Sequence, residues 1–142
     1  MPVKHLAVDP VTGDPAESVA AIVETMAREN VGDVIIEDRQ EPVGIVTDRD
    51  VALAYARRDE PLDDLEAQDL MTEDPATIHG DAEAVDLPRK MAEARVRRLP
   101  VVDDDGKLIG VATLDDVVAT AGEQLEDVAT VIESQSPDYS PD

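Results

Sequence analysis

Apolar positions along the chain follow two alternating periods, and the alternation is written twice. Val19, Ile22, Val23 and Met26 recur every three or four residues, which places them on one face of a helix. Asp14-Pro15-Ala16-Glu17 predicts its start, with Asp14 as N-cap, Pro15 at the first helical position and Glu17 closing a capping box. Gly32 is expected to end it as a left-handed cap. The β-branched run Val34-Ile35-Ile36, the polar link Glu37 to Glu41 and the second run Pro42-Val43-Gly44-Ile45-Val46 predict a β-hairpin. After Thr47 the spacing turns helical again, through Val51, Ala52, Leu53, Tyr55 and Ala56. Ahead of this unit, Val8 and Val11 suffice for a brief strand only.

The same succession returns further along. Gly80-Asp81-Ala82-Glu83 repeats the helix start, Val85, Leu87, Met91 and Ala94 form its apolar face, and Pro88 is expected to kink it or end it early. Pro100-Val101-Val102, the turn Asp103-Asp104-Asp105-Gly106 and Leu108 to Ala112 give a second hairpin. The heptapeptide Gly44-Ile45-Val46-Thr47-Asp48-Arg49-Asp50 recurs as Gly110-Val111-Ala112-Thr113-Leu114-Asp115-Asp116, an offset of 66 residues. Met26 and Met91 are offset by 65, so the second hairpin turn is one residue longer. Insertions of that kind fall in turns.

These patterns predict an α/β (α+β) fold of two repeats, each a small sheet packed by two helices. Residues 1–58 form the first repeat, 59–69 an acidic linker, 70–121 the second repeat, 122–133 a C-terminal helix and 134–142 a tail without periodicity. Val118, Ala121, Leu125, Val128, Ala129 and Ile132 carry an apolar stripe past the second repeat, with Gly122 as a point of bending. The stripe is expected to pack on the chain's own helices, with a subunit contact as the alternative.

Composition narrows the function. The 34 acidic and 12 basic residues leave a net charge of −22, which repels nucleic acid and anionic membrane alike. Neither is expected as a partner. Cysteine is absent, which removes disulfides, thiolate metal sites and cysteine nucleophiles. No apolar run is long enough to span a membrane and no signal segment is recognisable at the start, so a cytoplasmic protein is expected. Regular apolar patterning in so acidic a chain suits a salt-rich cytoplasm, where a Debye length of about 3 Å at 1 M screens the surface.

Catalytic constellations are missing from the sequence. His5 and His79 are its two histidines, expected to be isolated surface residues rather than metal ligands. Asp63-Asp64, Asp103-Asp104-Asp105 and Asp115-Asp116 lack the spacing of a calcium loop. No phosphate loop with lysine is present. The duplicated Thr-x-x-Asp pairs have two compatible readings. One is a helix cap, threonine with an acid three residues later. The other is a nucleotide site, because a strand running into a helix N-terminus presents N–H groups to a phosphate while an aspartate accepts bonds from a ribose diol. Such charge-assisted bonds are worth roughly 1.5–3 kcal/mol each.

Met71-Thr72-Glu73-Asp74-Pro75, Val96-Arg97-Arg98-Leu99-Pro100-Val101-Val102-Asp103 and the paired heptapeptides together resemble a tandem pair of cystathionine-β-synthase (CBS) domains, a Bateman module. The resemblance implies two repeats about a pseudo-twofold axis, clefts that take adenosine-containing ligands such as AMP, ADP, ATP or S-adenosylmethionine, and assembly as a homodimer. It implies a regulatory, energy-sensing module without catalytic activity that requires no cofactor, with Mg²⁺ present only alongside ATP. Asp50 and Asp116 would take ribose, and Thr47 and Thr113 the phosphate side. Val34, Ile78 and Leu99 would pack on adenine. Arg97 and Arg98 would reach phosphate, favouring the second heptapeptide, with Arg49 compensating at the first. The alternative is a ligand-free dimerisation module acting on a partner protein.

Overall fold

The computed structural model describes residues 1–135. Strand β1 (Thr12–Gly13), helix α1 (Val19–Glu29), strands β2 (Asp33–Asp38) and β3 (Glu41–Thr47) and helix α2 (Asp48–Arg57) form the first unit. Helix α3 (Ala67–Leu70) and strand β4 (Thr72–Glu73) follow. The second unit holds β5 (Ile78–His79), α4 (Leu87–Ala94), β6 (Arg98–Val102), β7 (Leu108–Thr113) and α5 (Leu114–Gln135). The sheets run β1-β2-β3-β4 and β5-β6-β7. In each, the short leading strand is parallel to its neighbour and the hairpin is antiparallel. The two-repeat α/β architecture read from the sequence is therefore present.

Each sheet has its own core. Ile22 and Met26 of α1 cover Val34, Ile36 and Val46 in the first, and Leu87 and Met91 of α4 cover Leu99, Val101 and Ala112 in the second. Strand alternation fixes this: Val34 and Ile36 point to the helix side, so Ile35 and its partner Ile45 point away from it. In the first hairpin Arg39 and Gln40 both have positive φ, 53° and 68°, the signature of a tight turn that matches strand twist.

The repeats exchange their leading segments. Val3, expected in the first repeat, lies in the second core, and Val8 bridges to Val111 of β7. Conversely, residues 59–69, expected as a linker, include buried Leu65 and Ala67, and Ala67 belongs to the first core. β4, expected to open the second repeat, pairs with β3 of the first. The heptapeptide glycines sit at these crossings. A Cβ on Gly44 would fall 2.7 Å from Met71 Cγ, and one on Gly110 would fall 2.8 Å from Ala7 Cβ.

Several local expectations are corrected. The N-cap of α1 is Ser18, whose hydroxyl accepts from Ala21 N at 3.1 Å, while Asp14 forms a turn upstream. Asn30, not Gly32, takes the left-handed position that ends the helix, with φ 54°. Pro88 lies in the first turn of α4, where its missing N–H costs nothing, so it neither kinks nor ends the helix. Val85 is exposed rather than on the apolar face. α5 runs unbroken through Gly122, takes in Ser134 and Gln135, and leaves its stripe exposed instead of packing it on the chain's own helices. The rest of the expected tail lies outside the described residues.

Candidate functional site

Each heptapeptide delivers a strand into a helix, and each Thr-x-x-Asp pair caps that helix. Thr47 Oγ1 accepts from Asp50 N at 3.1 Å, and Asp50 Oδ2 accepts from Thr47 N at 2.9 Å. At the second copy, Asp116 N donates to Thr113 Oγ1 at 3.3 Å, and Asp116 Oδ2 accepts from Thr113 N at 3.1 Å and from Thr113 Oγ1 at 2.9 Å. The copies therefore differ. The Thr113 hydroxyl hydrogen is committed to Asp116, whereas Thr47 Oγ1 acts only as an acceptor in its box. Among the described residues neither Asp50 Oδ1 nor Asp116 Oδ1 accepts a bond from the protein.

The strands β2 and β6 begin side by side, where the repeats meet. Asp48 N donates to Gly32 O at 2.9 Å, and Leu114 N donates to Arg97 O at 2.8 Å, the same contact in each repeat. Asp33 and Arg98, one residue on, form an ion pair of 3.1 Å, with the Asp33 side chain 12% exposed. Burial pushes the Asp33 carboxyl above its usual range, the Arg98 guanidinium pulls it back in part, and Asp48 pushes it further up.

Two cavities open at this meeting. One, of about 420 Å³, is lined by Gly32, Asp33, Ile45, Thr47, Asp48, Val96, Arg97 and Arg98. The other, of about 200 Å³, is lined by Arg97, Arg98, Thr113, Leu114 and Asp115. The two arginines thus stand at both, although the sequence associates them with the second heptapeptide alone. They reach the first because β6 begins against β2. Positive charge, a threonine and a helix N-terminus converge at each cavity, a combination suited to a phosphate-bearing group.

Other candidates fall elsewhere. Val34 and Leu99 are fully buried in the two cores, because alternation turns them toward the helices, so neither lines these two cavities. Ile78 is largely buried beneath a separate depression beside His79 and Arg89. Arg49 is exposed on α2 and absent from both linings. The apolar walls come instead from Ile45 and Val96. Period-two alternation in β3 already puts Ile45 opposite buried Val46, a signal the sequence offered; Val96, in a loop, offered none.

His79 is not isolated. Its Nε2 lies 2.6 Å from Asp104 Oδ1, and its Nδ1 accepts from Asp81 N at 3.0 Å. Lys4 Nζ donates to Asp81 Oδ1 at 2.7 Å, a bond that raises the lysine pKa and lowers that of the aspartate. Lys4 supplies the positive charge this cluster attracts.

The duplicated strand-to-helix repeats, with their paired caps and exchanged leading segments, are those of a known class of tandem-repeat fold. The CBS domain model matches residues 3–57 and 67–123, and the chain belongs to the CBS domain family. An uncharacterized protein of Methanopyrus kandleri is 34% identical over 126 residues, 83% of this chain and 64% of the relative. The chain spans just under two thirds of that relative's length and about a fifth of the inosine-5'-monophosphate dehydrogenases it also matches. Among solved structures, a CBS domain protein from Pyrobaculum aerophilum complexed with AMP superposes with TM-score 0.73 at 25% identity, covering 82% of this chain and 89% of the other. The CBS domain pair of protein MJ0100, in complex with 5′-methylthioadenosine and S-adenosyl-L-methionine, superposes with TM-score 0.75 at 25% identity, covering 87% and 98%. No helix among the described residues is long and apolar enough to cross a membrane.

Proposed function

We propose that this protein is a regulatory module that binds an adenosine-containing ligand in its interrepeat clefts, acts without catalytic activity and works as a homodimer. The observation that carries the reading is the cavity of about 420 Å³, where Thr47 and the helix N-terminus face Arg97 and Arg98 across the junction of the repeats. Asp50 Oδ1 receives ribose while Oδ2 keeps the cap, and Ile45 and Val96 flank the base. The second cleft presents Thr113, Leu114 and Asp115 to the same two arginines in a smaller space. Relatives crystallised with AMP and with S-adenosyl-L-methionine support the ligand class. We assign the Thr47 cleft the first ligand, because its threonine hydrogen is free to donate to phosphate and its cavity is the larger.

One observation favours a second reading, a ligand-free interaction protein: both Thr–Asp pairs are satisfied as caps and Arg98 is already paired with Asp33. Calorimetric titration of AMP, ATP and S-adenosylmethionine in high salt separates the two. Saturable heat with any of these supports the ligand reading; no heat with all of them supports the other.

A further inference from the structure

From residue 121 to Gln135 every position of α5 is exposed, and the family match ends at residue 123. At ~1.5 Å per residue this projecting half of α5 is about 22 Å long. A lone helix of that length is marginal in water, so its stability depends on a surface to pack against.

Its sequence describes that surface. Val118, Leu125 and Ile132 are spaced by seven, and Ala121, Val128 and Gln135 each fall three further on, the a and d positions of a heptad. Val118, Leu125 and Val128 are 63%, 70% and 54% exposed. The acids of this half, Glu123, Glu126, Asp127 and Glu133, all fall at b, c or f, on the outer side. The flanking e and g positions hold Gly122, Gln124, Ala129 and Val131, without charge. A helix built to meet a basic partner would carry its acids at e and g, where coiled-coil partners are chosen. Here they are withdrawn instead. Two copies, each carrying −22, can approach along this strip without like charges facing each other.

We propose that the distal half of α5 pairs two copies of this chain through a seam of Val118, Ala121, Leu125, Val128 and Ile132. The proposal rests on the homodimer reading above and adds where the copies meet, along a seam whose Leu125, Val128 and Ile132 lie beyond the region matched to the family.

Sedimentation in high KCl tests it with the double variant Leu125→Glu, Ile132→Glu, whose folding is checked by circular dichroism. The expected result is a wild type of twice the chain mass and a folded variant of half that mass with unchanged nucleotide affinity. A variant that stays dimeric overturns the seam but leaves the homodimer; a monomeric wild type overturns both. Because the chain lacks cysteine, Leu125→Cys and Glu126→Cys give an independent measurement that does not depend on the fold of the double variant. Under mild oxidation the seam position should cross-link to a dimer and the outward position should not. Equal cross-linking, or the reverse, contradicts the seam.

Discussion

Asp33 and Arg98 hold matching places in the two repeats, each paired in register with the threonine of its own heptapeptide, and their side chains meet at 3.1 Å. The repeat is thus broken at its centre by opposite charges. A duplicated arginine would place two like charges together where the strands begin; Asp33 lets Arg98 approach, at the cost of drawing it away from an incoming phosphate.

Burial outweighs the guanidinium at Asp33, so a neutral isostere should be well tolerated. Asp33→Asn is expected to change stability by within about 0.5 kcal/mol at neutral pH while tightening binding of a phosphate-bearing ligand. Arg98→Ala leaves a largely buried carboxylate unpaired beside Asp48 and should cost on the order of 1–3 kcal/mol. Denaturant melts of both variants check the asymmetry.

The same residue sets a pH signature. A carboxyl whose folded pKa is raised holds its proton more tightly in the folded chain, so its contribution is fully present below the usual 3.8 and is lost as pH rises through the raised folded value. Stability curves of wild type and Asp33→Asn, recorded upward from that pH, should differ by this downward slope. Parallel curves would contradict the burial effect.

The heptapeptide glycines carry the segment exchange. Gly44→Val and Gly110→Val would push a side chain into Met71 and into Ala7 with the Val8 carbonyl, and overpacking of that kind costs about 1–3 kcal/mol. Gly106→Ala tests a different cause, since its surroundings are open and only its φ of 77° opposes a side chain. It should cost less, roughly 1 kcal/mol.

Charge predicts a dependence on salt. With −22 on the chain, self-repulsion falls as the Debye length shortens from about 10 Å at 0.1 M to about 3 Å at 1 M. Thermal melts should rise steadily with KCl, and ATP should gain on AMP as salt increases. A melting temperature flat with salt would oppose the first expectation, and a nucleotide preference flat with salt would oppose the second.

Local periods carried most of the architecture. Val34 to Val46 and Leu99 to Ala112 read as hairpins because apolar alternation and turn residues are short-range properties, and the duplicated heptapeptide marked both strand-to-helix junctions. Long-range choices were not legible. Nothing near Val3 says that it completes the second core, nor near Ala67 that it completes the first. The helix start slipped from Asp14 to Ser18 because both can cap, and tertiary packing of Val19 and Ile22 decides between them. At the site, Thr47, Thr113, Arg97 and Arg98 were visible as types at a spacing. The Asp33 contact and the arginines' reach to the first cleft were not, since both depend on how the repeats face each other.

The ribose assignment supplies the most direct measurement. Titration calorimetry with AMP in high KCl should show wild-type binding that weakens by about ten-fold or more, at least 1.4 kcal/mol, in Asp50→Ala, and likewise at the second cleft in Asp116→Ala. Denaturant melts of the same two variants report the loss of the cap, at about 1 kcal/mol of stability each, so lost folding and lost binding can be told apart. Unchanged affinity in both aspartate variants, with the fold intact, would contradict the account.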